Sequence, residues 1–340
     1  MPMMHYKDAL ALSLLNAMQA DQRVLCLGPG VDNDHFIFDT TRTAYDSYPN
    51  RVIGTPLSEN MLTGACVGMS LGGLRPVLVF SRFDWLMLAM EPLVNVAAKW
   101  GFMTGHYPNM TIRCLVGRGW GQGPTHSQSL HALLAHIPGL MVYMPYRPVD
   151  AYYALRHAIA SDGPTIIVEA RHLYETEGNV PLPTKGFYWG LGHVERFGES
   201  GDPNVVIVGF GDALSAIYQA IPAMVNAHMS ITVVDPQSFP LDISLVTGAL
   251  KLSGSGNLLV VDMGWGPCGA AAEVMASVVE RMMIRTPARL TLPFHPAPAS
   301  ALLSESWYPS VHQIIEVCSR MTGRVCATPP VLTESFKGAF

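Results

Sequence analysis

A chain of 340 residues, 49% hydrophobic and carrying 31 Gly and 26 Pro, is too long for one compact core and too apolar for a disordered segment, and points to two domains of roughly 150–190 residues each. Charged residues make up only 14%, where about 25% is usual, and mean hydropathy is +0.24, so much of the surface is expected to be buried against other subunits. With 21 Lys+Arg against 26 Asp+Glu and no basic run, the chain lacks the phosphate-neutralising footprint of a nucleic-acid binder.

In chain order, the opening MPMMHYKDALALSLLNAMQA carries Lys7 and Asp8 and is interrupted by Ser13 and Asn16, so it reads as an amphipathic first helix and not as a signal peptide. Hydrophobic, β-branched runs at 24–27, 75–80, 112–116, 140–144 and 164–170 then alternate with helically spaced segments at 58–71, 85–104 and 147–161. The second half repeats the rhythm, with strand-like runs at 204–210, 230–235, 257–263 and 288–292 and helical segments at 212–226, 267–283 and 309–321. Hydrophobic strands alternating with helices predict an α/β fold whose parallel sheets are covered on both faces. Residues 175–203 are rich in Gly, Pro and polar side chains and mark a boundary, which places the domains at 1–186 and 187–327; the aperiodic 328–340 is expected to be a loosely attached tail.

No stretch approaches the roughly 20 apolar residues needed to span a bilayer. The cysteines, Cys26, Cys66, Cys114, Cys268, Cys318 and Cys326, form no C-x-x-C pair, which suits a reducing compartment. A cytoplasmic protein with neither membrane nor nucleic acid as partner is expected.

The glycine-rich turns GFGDAL (209–214) and GPGVDN (28–33) lack the third small residue of a dinucleotide-binding turn and read as ordinary strand-to-helix turns. GMSLG (68–72) fits the hydrolase elbow as a string, but it ends a helix and precedes a strand, the reverse of what that elbow needs. Gly64, Gly68 and Gly72 instead make a side-chain-free helix face, costing about 1 kcal/mol per Gly relative to Ala. Such a face fits close approach by another backbone, from a partner subunit or from within the chain. Glu59 opens this helix after Pro56 and Ser58, where an acid is favoured by the helix dipole without any catalytic role. His126 follows Gly117, Gly119, Gly121 and Gly123 and is either an acid/base candidate on a pliable loop or a solvated His; its local sequence leaves both open. His131 and His136, five apart, fall on different helix faces with no Cys or acid spaced to complete a metal site.

Taken together, RVIGTPLSENMLTGACVGMSLGGLRPVLVF, FDWLMLAMEPLVNVAAKW, GPTHSQSLHALLAHIPGLMVYMP and the ending WYPSVHQII resemble the β subunit of the thiamine-diphosphate-dependent component of 2-oxo acid dehydrogenases of the pyruvate, branched-chain and acetoin type, within the transketolase superfamily. The resemblance runs from near residue 6 to about 322. It implies a pyrimidine-binding, transketolase-like parallel-sheet domain followed by a transketolase C-terminal α/β domain. By position, Glu59 resembles the acid that activates thiamine diphosphate by sharing a proton with its aminopyrimidine ring. Trp85 falls where the family places an aromatic ring against that pyrimidine, and Leu57 and Leu88 are implied as further cofactor contacts. His126 matches the His that faces the substrate carboxylate. The GDG and Asn-Asn elements with which the superfamily holds Mg²⁺ and diphosphate do not occur in this chain. The resemblance therefore implies an α subunit that supplies them, an assembly of two α and two β subunits, a 2-oxo acid substrate and, for some relatives, a lipoyl acyltransferase. Leu88 stands where pyruvate-type subunits often carry a polar residue. The alternative function is a stand-alone thiamine-diphosphate-dependent carboligase, a split transketolase or acyloin synthase. A non-catalytic scaffold subunit is the third reading, which the joint presence of Glu59 and His126 opposes.

Overall fold

The computed structural model describes residues 2–118, 123–181, 192–201 and 204–327. The expected boundary at 186/187 and the expected tail 328–340 lie outside the described residues. The chain divides into two compact units, one of Met1–Gly117 and Leu133–Trp189, the other of Arg118–Ala132 and Gly190–Phe340. The glycine-rich stretch that carries His126 thus belongs to the second unit, although most of its neighbours in sequence belong to the first.

The first unit contains β1 (Met3–His5), α1 (Tyr6–Ala20), β2 (Val24–Gly28), α2 (Arg42–Ser47), β3 (Val52–Gly54), α3 (Glu59–Leu71), β4 (Arg75–Phe80), α4 (Ala98–Thr104) and β5 (Thr111–Val116). After the short helix α5 (His131–Ala135) come β6 (Met141–Tyr143), α6 (Pro148–Ala160), β7 (Thr165–Ala170) and β8 (Glu177–Asn179). Strands β6-β7-β5-β4-β2-β3 pair in that order, all parallel, and β1 pairs antiparallel with β8. Side chains alternate across the strands: Val77 and Val79 join the core that α1 and α6 build with Leu10, Leu14 and Leu155, while the equally buried Leu78 and Phe80 face the other way. The near-continuous apolar runs seen in the sequence are the consequence of both faces being covered.

The segment 85–104 is not one α-helix. Phe83–Ala89 is a 3₁₀-helix, Glu91–Ala97 a π-helix, and only Ala98–Thr104 is α-helical. Pro92 is the physical reason, because it has no N–H to give to the preceding turn and its ring clashes there. The C-terminal α4 ends on Gly105, whose φ of 75° closes the helix in the left-handed region.

The second unit contains β9 (His193–Phe197), β10 (Asn204–Gly209), α7 (Ala213–Asn226), β11 (Ser230–Asp235), the two-residue β12 (Ser238–Phe239), α8 (Ile243–Ser253), β13 (Asn257–Trp265), α9 (Ala270–Val279), β14 (Thr286–Leu292), α10 (Ala301–Trp307) and α11 (Val311–Thr322). Its sheet runs β14-β13-β10-β11-β9, parallel except for β9 at one edge. The α/β class and the parallel sheets read from the sequence are present in both units. The helices α2 and α8 and the edge strand β9 are structural additions to the sequence reading.

Candidate functional site

Parallel strands of the first unit end on one edge of the sheet, where open α/β folds bind their ligands. Three chain segments meet the end of β2 there. Gly28, the last residue of β2, has φ 149°, and a Cβ at this position would lie 2.3 Å from the Val79 carbonyl oxygen of β4. Gly28 O also accepts from Thr55 N–H (3.3 Å), just past β3. The loop after β2 is tied to the same place, because the Asp32 carboxylate accepts from Gly54 N–H at 2.9 Å. Further along this loop, Phe36, Ile37, Phe38 and Asp39 take φ values of 42°, 47°, 56° and 68° in succession. A left-handed turn costs roughly 1–2 kcal/mol per non-glycine residue. Burial of Phe36 and Ile37, and the Arg171 guanidinium stacked 4.2 Å from the Phe38 ring, hold it in place.

Glu59 is the first residue of α3, directly after this junction. Ser58 precedes the helix without a side-chain cap, so the local sequence starts the helix through Pro56 and the favourable position of an acid at the dipole's positive end. Glu59 is only 8% exposed, yet among the described residues its carboxylate has no hydrogen-bond or ion-pair partner. A buried carboxylate without a partner is unfavourable, and proteins usually pair or neutralise it. Leu57, two residues before it, is 65% exposed; Leu88 is 64% exposed and Trp85 half-buried. Trp85 and Leu88 both lie on the 3₁₀-helix, which packs against α3. Four of the five site residues named from the sequence therefore fall on α3, the turn before it and the segment packed on it.

Gly64 and Gly68 lie farther along the same helix. A Cβ at Gly64 would meet Pro92 at 3.9 Å, whereas at Gly68 no described atom comes within 4 Å. The close neighbour within the chain that one reading allowed is thus missing at Gly68, and the glycine face there is open.

The fifth residue, His126, is half-buried in the second unit and follows a single 3₁₀ turn, Gly123–Thr125, donating its N–H to Gly123 O (3.4 Å). Gly123 has φ 57° and its Cα sits so near Ala299 that a side chain would meet that residue at 3.1 Å. Gly119 and Gly121 of the same loop lie outside the described residues.

Sequence reasoning missed the charges around this segment. His131, fully buried, places Nε2 3.1 Å from Asp262 Oδ1 and Nδ1 2.9 Å from Ser129 Oγ. Burial alone would raise the Asp262 carboxyl; the His131 imidazole and N–H donation from Gly264 (2.9 Å) and Ala271 (3.4 Å) more than offset it and hold it below the usual carboxylate range. Asp212 behaves oppositely: burial pushes it up to about 6 against the attraction of Arg118 and His131. Arg118 Nη1 is 3.8 Å from Asp212 Oδ2, and its guanidinium stacks 4.2 Å from the Tyr308 ring. The acids are remote in sequence from His131, so no local spacing could reveal the cluster.

Residues 2–177 match the family model described as "Transketolase, pyrimidine binding domain", and residues 193–314 that described as "Transketolase, C-terminal domain". The acetoin:2,6-dichlorophenolindophenol oxidoreductase subunit beta of Cupriavidus necator is 30% identical over 284 residues, covering 82% of each chain. Pyruvate dehydrogenase E1 component subunit beta-1, mitochondrial, of Oryza sativa is 30% identical over 326 residues, 93% of this chain and 86% of the relative. Among solved structures, a split gene transketolase, described as an inactive beta4 tetramer, superposes with a TM-score of 0.72 at 17% identity, covering 94% of this chain and 98% of that one, a likeness of fold alone.

Proposed function

We propose a function from the premise that the chain belongs to the transketolase family, in the branch of pyruvate and acetoin dehydrogenase β subunits: it is the β subunit of a two-chain, thiamine-diphosphate-dependent enzyme that decarboxylates a 2-oxo acid. The observation that carries this reading is the buried carboxylate of Glu59, left unpartnered beside an apolar, partly exposed surface. An aminopyrimidine ring fits both features, since it offers a ring nitrogen that can share a proton with the carboxylate and a flat apolar face. When bound, thiamine diphosphate supplies the electron sink that a 2-oxo acid needs to lose carbon dioxide.

The chain's own residues supply placement. Glu59 would share a proton, at its carboxylate oxygen, with the pyrimidine nitrogen. Trp85 gives the ring an aromatic wall, while Leu57 and Leu88 exclude water from the cofactor's organic end. His126 is assigned the substrate carboxylate, which it orients and whose charge it stabilises. The absence of GDG and Asn-Asn in the sequence assigns Mg²⁺ and the diphosphate to an α-type partner, two of each chain forming the assembly. The open face at Gly68, the low fraction of charged residues, and Leu57 and Leu88 standing exposed suit a subunit that works in contact with others. Delivery of the acyl group to a lipoyl acyltransferase follows the same reading. Among the described residues no helix is long and apolar enough to cross a membrane, and we place the enzyme in the cytoplasm.

Calorimetry checks the central statement. The purified chain alone should bind thiamine diphosphate weakly or not at all with Mg²⁺ present, and should gain both affinity and turnover when a GDG-bearing α-type chain is added. Tight binding and full turnover by the lone chain would overturn the reading. Acyl transfer to lipoamide, assayed against C–C bond formation, separates the dehydrogenase from the carboligase.

A further inference from the structure

Among the described residues of the stretch carrying His126, those before His131 form only the single 3₁₀ turn Gly123–Thr125. In the second unit the stretch is held by buried polar side chains at both ends. Arg118 at its start faces Asp212, which lies between β10 and α7; His131 at its end faces Asp262, inside β13. Arg118 and His131 come from the stretch, whereas Asp262 comes from β13 and Asp212 from the loop that follows the adjacent strand β10. Asp262 accepts from the N–H groups of Gly264 and Ala271, and Asp212 is nine-tenths buried. His131 is also gripped by shape, its ring 5.8 Å from Phe239 and 6.5 Å from Phe210. The backbone of Gly264 comes so close that a Cβ there would stand 3.0 Å from His131 Cε1. The charged and titratable groups facing His131 are Asp262 from β13 and Asp212 ahead of α7, with Arg118 and Tyr308 behind Asp212.

We propose that His131, through Asp262 and with Arg118–Asp212 as the second anchor, is a positioning residue that sets His126 for its work on the substrate carboxylate; the assignment rests on the function proposed above. Removing one member of a buried pair strands the other's charge, so the anchor is held far more strongly than a surface ion pair. His126 lies between the two anchors, and an error of 1 Å in such a group is enough to slow a reaction by about 10²-fold.

The test uses the full chain, alone and with its α-type partner. His131→Leu should raise amide hydrogen exchange across 123–132 by about 10-fold or more while β10 and β13 keep their protection. In the assembled enzyme it should lower kcat by about 10–100-fold with the affinity for thiamine diphosphate unchanged. His131→Gln, whose amide can donate to Asp262, should restore most of both losses, a rescue that a role in packing alone does not give. Unchanged exchange at 123–132, or loss of protection spread equally over β10 and β13, overturns the anchor. Raised exchange with kcat unchanged leaves the anchor standing and overturns the role given to His126. Should the leucine variant not fold, Ser129→Ala, which removes only the Nδ1 partner, should raise exchange in the same stretch by about threefold, and no rise overturns the proposal.

Discussion

Glu169 and Glu59 are both buried carboxylates of the first unit, and their surroundings differ in every respect but burial. Glu169, on β7, accepts from Arg113 Nε on β5 at 2.6 Å, from Arg113 Nη2 at 3.0 Å and from the Tyr174 hydroxyl at 2.5 Å. Arg113 Nη2 also donates to Thr40 Oγ1 at 3.0 Å. Burial would lower the Arg113 pKa, but the Glu169 charge more than reverses it, and burial together with that same carboxylate pushes the Tyr174 phenol well up. Glu59, at the strand-end edge, has none of these partners. Glu169 has its acceptor sites filled by its own chain, as a scaffold carboxylate does, whereas Glu59 leaves its acceptor sites open, which is what the proposed role in sharing a proton with a cofactor requires.

The largest expected effect breaks this comparison on the functional side. Glu59→Gln should reduce turnover of the assembled enzyme by about 10²–10⁴-fold while size-exclusion chromatography shows assembly intact. Unchanged turnover would falsify the role of this carboxylate. The stability of the isolated chain should respond in the opposite sense. Glu169→Gln leaves Arg113 charged and uncompensated and should cost about 3–5 kcal/mol in urea unfolding, whereas Glu59→Gln should cost nothing or stabilise by about 1 kcal/mol. Equal losses at the two sites would show that Glu59 has a structural partner after all.

Asp212 sharpens the contrast between a permanent ion pair and a titrating one. Its folded pKa of about 6 lies above the ordinary 3.8, so the stability it contributes is fully present below 3.8 and is lost as pH rises through about 6. Asp262, held low, acts in the reverse direction, contributing above the ordinary value and losing that contribution as pH falls through its folded pKa. The difference in unfolding free energy between the parent chain and Asp212→Asn should therefore change by up to about 3 kcal/mol between pH 4 and pH 7, and a pH-independent difference would contradict the assignment. The smallest effect concerns the open helix face. Gly68→Ala meets no described atom and should stabilise the lone chain by about 1 kcal/mol; if a partner backbone packs there, the same change should weaken assembly in analytical ultracentrifugation.

Much of this molecule was legible without coordinates. Runs such as RPVLVF at 75–80 and SITVVD at 230–235 coincide with β4 and β11, because hydrophobic strands and amphipathic helices are local patterns written into consecutive residues. The string TPLSEN pointed to Glu59 and Leu57 through the resemblance alone, its local order reading as an ordinary helix start. Where a single residue overrides its neighbourhood the pattern misled, as at Pro92, which turns a helically spaced segment into three different helices.

Partnership was decided only by the tertiary structure. Arg113 and Glu169 lie 56 residues apart in sequence, His131 and Asp262 still farther, and each pair exists only because strand register and chain path bring the two together in a dry interior. Burial, and with it the direction in which Asp212 and Asp262 shift, belongs to the packed chain and not to the residue type. Local periodicity records which residues face inward; it carries no record of which inward-facing charge will find an opposite one, and that pairing is what distinguishes Glu169 from Glu59, which has no partner among the described residues.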